Sequence, residues 1–154
     1  MPTTYEYDCL VYSQRPDQSE VPQFCLFHAP AGEVLEWADI ERLEKGPGGA
    51  QRGINKTKVG SVKRFLEDAA NTIPTAVILA LDIPDAAKVA DEHGVIRRIR
   101  FEYKDDSPKP AIVIDGQHRL LGMTAFDTHM RINIVAHLSG DSDETAFQYL
   151  VINN

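Results

Sequence analysis

The sequence predicts a single domain of mixed α/β (α+β) class, and three observations predict it. Short β-branched runs bounded by turn residues alternate with segments of helical spacing along the chain. The length of 154 residues suits one domain with a substantial core. Neither an internal repeat nor a low-complexity linker divides it.

Residues 5–12 read as a strand and residues 24–28 as a buried one. Residues 33–43 have helical spacing, with Leu35, Ile40 and Leu43 around Trp37. Residues 56–70 make a better helix: Val59, Val62, Leu66 and Ala69 form one stripe, with Lys56 and Lys63 beside it. A strand over 75–81 ends at Asp82-Ile83-Pro84. Strands over 96–103 and 111–114 flank a turn-rich connection, residues 105–110, which predicts a hairpin. Residues 132–138 give a further strand, and Ser142 or Asp143 caps a last helix.

No stretch is apolar enough to span a membrane, and the N-terminus lacks a charged-then-apolar signal pattern. A cytoplasmic protein is expected. Cys9 and Cys25 lie in apolar strand-like runs, where buried thiols rather than a disulfide are expected. Cys25 and His28 form a lone C-x-x-H whose odd offset puts the side chains on opposite faces of a strand, so a zinc site carries little weight.

The net charge of −7 argues against a protein that coats nucleic acid by bulk electrostatics. Its distribution is uneven. Acids dominate the first fifty residues, whereas Arg52, Lys56, Lys58, Lys63 and Arg64 follow with no acid among them. This basic island is the candidate for DNA backbone contact. A second cluster, Arg97, Arg98 and Arg100, reads as solvated strand charge.

The richest segment is Ala111-Ile-Val-Ile-Asp-Gly-Gln-His-Arg-Leu-Leu-Gly122. A β-branched run stops at Asp115-Gly116, and Gln117, His118 and Arg119 lead into Leu120, Leu121 and Met123 at helical spacing. A helix start offers unpaired N–H groups and the positive end of its dipole, so it favours an anion. Asp115 is expected to cap the helix through the N–H of His118, and Gly116 to permit close backbone approach. Gln117, His118 and Arg119 add an amide, an imidazole and a guanidinium within one turn. A phosphate is the natural guest. The plainer reading is a capped helix with Arg119 solvated and His118 packed; a cap, however, needs neither the His nor the Arg. Upstream, a Gly-Pro-Gly-Gly loop at 46–49 delivers Gln51 and Arg52, a second phosphate clamp.

The run IDGQHRLLG, preceded by QRGINKTKVGSVKRFL and PTAVILAL and followed by FQYLVINN, resembles the DGQHR-domain family, whose best-known members are the DndB-type proteins of DNA phosphorothioate modification systems. The resemblance covers most of the chain from about Gln51 onward. It implies a compact domain like those of the wider ParB and sulfiredoxin superfamily, with a small mixed sheet and flanking helices. In such domains the equivalent strand, turn and helix hold nucleotide phosphates. Asp115, Gly116, Gln117, His118 and Arg119 take the motif positions, and Gln51-Arg52 matches the upstream element. Sulfiredoxin chemistry needs a cysteine in this turn, and none is present. In the family a mostly helical region follows the block like residues 147–154. The chain is therefore expected to be a short member or the N-terminal part of a longer architecture.

Three functions from different classes follow. The first is a nucleotide-binding module of DNA modification or anti-phage defence, taking ATP or another nucleoside triphosphate with Mg²⁺. The second is a DndB-like DNA-binding transcriptional regulator of a modification operon. The third is a ParB-like nucleotide hydrolase or DNA-nicking nuclease, with Asp115 holding the metal and His118 as acid/base. Such a hydrolase usually needs a second carboxylate, for which Asp82 is the candidate. Expected partners are nucleotide, DNA and other proteins of a modification system, with no membrane; neither monomer nor oligomer is excluded.

Overall fold

A computed structural model describes residues 1–15, 17, 23–40, 54–83, 88–90 and 97–138, without the side chains of 88–90 and 97. The order is β1 (Thr3–Ser13), β2 (Gln23–Pro30), α1 (Ala31–Trp37), β3 (Ala38–Asp39), α2 (Lys56–Leu66), β4 (Val77–Leu81), β5 (Lys88–Ala90), β6 (Arg97–Tyr103), β7 (Ala111–Asp115), α3 (Gln117–Phe126) and β8 (Arg131–Leu138). The expected α+β class is what forms. The strands make one eight-stranded sheet in the order β3-β7-β4-β8-β2-β1-β6-β5. It is mixed: β3 with β7 and β4 with β8 are parallel, and the other pairs are antiparallel.

The expected hairpin between the strands at 96–103 and 111–114 does not form. β6 pairs with β1 and β5, whereas β7 pairs with β3 and β4. Burial periodicity explains the separation. β6 alternates, with Ile99, Phe101 and Tyr103 buried and Arg98, Arg100 and Glu102 exposed. It therefore matches β1, which buries Tyr5, Tyr7 and Cys9 and exposes Glu6 and Asp8. Arg98 meets Asp8 at 2.9 Å and Glu6 at 3.2 Å across that pair, the solvated role expected for this arginine. In β7, by contrast, Ala111 through Ile114 are all buried, and such a strand must be covered on both faces. The turn residues of the connection do fold, with the N–H of Ser107 donating to the Lys104 carbonyl.

α1 buries Ala31, Val34 and Trp37 on one stripe and stops at Trp37, shorter than the helix expected over 33–43. Ala38 turns extended and starts β3 beside Ala111. Residues 41–43 lie outside the described residues. Trp37 is fully buried and packs on Tyr7, Phe27 and Phe101 from three strands. Its Nε1 donates to the Tyr7 hydroxyl at 2.9 Å, and that hydroxyl donates to Glu33. Leu120 and Met123 bring α3 into the same core. Ala80, Ile112 and Ile114 form a second, smaller cluster with Ile78.

α2 begins where the sequence places it but ends at Leu66 rather than Ala70. Local bonds replace the helix there: the Ala70 N–H donates to the Asp68 carboxylate, and Asn71 Nδ2 to the Phe65 carbonyl. Short Asp and Asn side chains compete in this way with the helical ladder. Cys9 and Cys25 are buried thiols, as expected. Cys25 is buried and His28 exposed on β2, so the C-x-x-H pair does not converge. No described helix is long and apolar enough to cross a membrane.

Candidate functional site: the shared end of two parallel helices

β7 delivers Asp115 at its end, and Gly116 then adopts φ 98° and ψ 18° before α3 begins. This left-handed conformation favours glycine. Space demands it as well, because a Cβ at Gly116 would lie 2.8 Å from Arg119 Nη2 and 3.2 Å from the Val77 Cα. The strand, tight turn and helix read from the sequence are all present.

The expected cap is not. Gly116 itself is the N-cap residue, and no side chain caps α3. The left-handed turn puts Asp115 one position outside the capping residue, and its carboxylate instead faces Arg119 Nη2 at 3.7 Å. That separation is an ion pair rather than a hydrogen bond. Arg119 Nη2 also donates to the Ala76 carbonyl at 2.9 Å, tying α3 to the residue before β4. Its Nε is buried with no partner among the described residues. Such a group costs about 1–3 kcal/mol when left unsatisfied.

His118 Nε2 accepts a hydrogen bond from the backbone N–H of Asn55 at 3.0 Å. Asn55 is the N-cap of α2, its side chain accepting from the N–H groups of Thr57 and Lys58. Sequence reading did not single it out, although an Asn directly before an apolar-periodic segment is a standard helix-start signal. His118 thus joins the beginnings of two helices.

Further along, a Cβ on Gly122 would stand 2.4 Å from Val62 Cβ and 2.9 Å from the Val59 carbonyl. The contacts advance together, from Asn55 with His118 to Val59 and Val62 with Gly122, so α2 and α3 run side by side in the same direction. Their positive dipole ends therefore share one end of the pair. Neither helix has an acid in its first turn, and α2 carries Lys56 and Lys58 there. Like partial charges held together in this way favour an anion between them.

Lys56, Lys58, Lys63 and Arg64 are all exposed. At about 100° per residue, Lys56 and Lys63 lie on one flank of α2, Lys58 lies with exposed Phe65 on the other, and Arg64 lies between. The island is a basic collar rather than a single stripe. Gln117 is half-buried in the first turn of α3. Gln51 and Arg52, the loop at 46–49 and the helix expected from 142 lie outside the described residues.

Asp82 does not join Asp115. β4 and β7 are antiparallel, with Leu81 opposite Ala111 and Ile78 opposite Asp115. Asp82 follows Leu81, so it sits at the far end of β7, roughly 13 Å away at the usual rise of a strand. Among the described residues no three His, Cys, Asp or Glu side chains gather as a metal site. The chain matches no family model, no curated protein and no solved structure.

Proposed function

We propose that the chain binds a phosphate group of a nucleotide, or of DNA, at the shared N-terminal end of α2 and α3, as a DGQHR-domain protein of a DNA-modification or anti-phage defence system. The parallel helix pair carries this reading: two positive helix ends with no acid in either first turn, flanked by Lys56, Lys58 and Arg119. Gly116 lets the backbone approach the ligand, and Gln117 orients it. His118 acts chiefly by holding Asn55, with its first-turn position next to the ligand. Mg²⁺ fits here as part of a nucleoside triphosphate complex, with phosphate and water supplying its oxygens.

A specific observation favours DNA as the phosphate source: all four described basic residues of α2 are exposed and spread across its solvent face and flanks. A DndB-like regulator would use Lys56, Lys58, Lys63 and Arg64 on backbone phosphates. The hydrolase or nuclease reading draws less support, because Asp82 is remote from Asp115 and His118 Nε2 is engaged by Asn55.

Calorimetric titration with ATP, CTP, GTP and a short DNA duplex, with and without Mg²⁺, tests the reading. Saturable binding weakened about tenfold or more by the double change Lys56→Gln with Lys58→Gln, and falling with salt, is the expected result. Absence of saturable binding to every one of these ligands overturns it.

A further inference from the structure

We propose that Asp115 is a built-in competitor for the phosphate site, an internal anion that a ligand must displace from Arg119. The inference rests on the phosphate-binding reading above. The Asp115 side chain is 61% exposed, caps nothing, and keeps its carboxylate 3.7 Å from Arg119 Nη2. It therefore supplies negative charge beside the one motif arginine without making a hydrogen bond to it.

Two features make this contact displaceable. The Arg119 side chain is 30% exposed, so a ligand can reach it. The guanidinium is anchored independently by the Ala76 carbonyl, so it keeps its position when Asp115 turns away. An acid at this point also relieves the two helix ends of part of their mutual repulsion, as a bound phosphate would. A metal-ligand role predicts the opposite mutational outcome, since a carboxylate that holds Mg²⁺ aids the ligand.

The test compares the wild-type chain with Asp115→Asn and Asp115→Glu by titration with inorganic pyrophosphate in the absence of divalent metal at low ionic strength, and with ATP and Mg²⁺. Thermal melts check the fold of each variant. Asp115→Asn is expected to bind pyrophosphate about three- to tenfold more tightly, the size expected of removing one exposed like charge a few ångströms from the ligand. Asp115→Glu is expected to stay near wild type. Pyrophosphate binding by Asp115→Asn alone also supports the proposal, as complete self-competition. Equal or weaker pyrophosphate binding by a folded Asp115→Asn overturns it while leaving the phosphate site intact. Loss of ATP binding confined to Mg²⁺ conditions overturns it in favour of a metal ligand. Failure of all three proteins to bind either ligand overturns this proposal together with the nucleotide form of the phosphate-binding reading.

Discussion

His118 Nε2 and the backbone N–H of Asn55 meet at 3.0 Å, across 63 residues of sequence, and this bond brings the starts of α2 and α3 to one place. The motif histidine is thereby a structural link between the basic helix and the glycine turn.

His118→Ala removes the acceptor for the Asn55 N–H. Loss of one such bond costs about 1 kcal/mol. Amide hydrogen exchange is expected to accelerate in the first turn of α2 while β1 and β6 keep their protection. Unchanged exchange at Asn55 through Lys58 would show that the link carries no weight.

Gly122→Ala forces a methyl group onto Val62 and the Val59 carbonyl. The helices must separate, at a cost of about 1–3 kcal/mol. Combining it with Val62→Gly, which removes the whole facing side chain, is expected to recover part of that loss, measured by a double-mutant cycle in denaturant. Simple additivity of the two changes would contradict the direct contact.

Tyr7→Phe leaves the Nε1 of fully buried Trp37 without its acceptor and deprives half-buried Glu33 of a donor. A destabilisation of about 1–3 kcal/mol is expected in chemical denaturation. Tyr5→Phe is expected to cost less, because its hydroxyl donates to exposed Glu36. Burial, followed by Glu36, pushes the Tyr5 hydroxyl up to about 12, so it remains a donor throughout the neutral range.

His137 is buried against the edge of Phe24, and burial lowers its pKa below the ordinary value of about 6.5. A depressed histidine is neutral in the folded chain at pH values where the unfolded chain already binds a proton. Its contribution is therefore complete above about pH 6.5 and is lost as the pH falls toward and through the folded value. The melting temperature is expected to drop between pH 7 and pH 5, and His137→Gln to flatten that part of the profile. A parallel profile in the variant would assign the drop to other groups.

Local patterns carried much of this protein. The strand, turn and helix at Ala111 through Gly122 are legible because a β-branched run, a glycine and helical spacing follow one another within a dozen residues. The same is true of β1, whose alternation survives intact, and of the start of α2. The Asp115 cap was misread for a physical reason. Asp-Gly before a helix fits either capping residue, and only the φ of Gly116 decides between them.

By itself, then, the sequence determined the α+β class, the glycine turn, the basic character of α2 and the residues that crowd into one helical turn. Those features depend on neighbours a few positions apart, which the chain states directly. Tertiary structure alone decided that β6 and β7 part company, that Asp82 lies at the wrong end of an antiparallel pair, and that α2 runs parallel to α3 with His118 on Asn55. Each of these is a pairing between distant segments. Such pairings are chosen by which faces must be covered together, a property of the whole sheet rather than of any stretch within it.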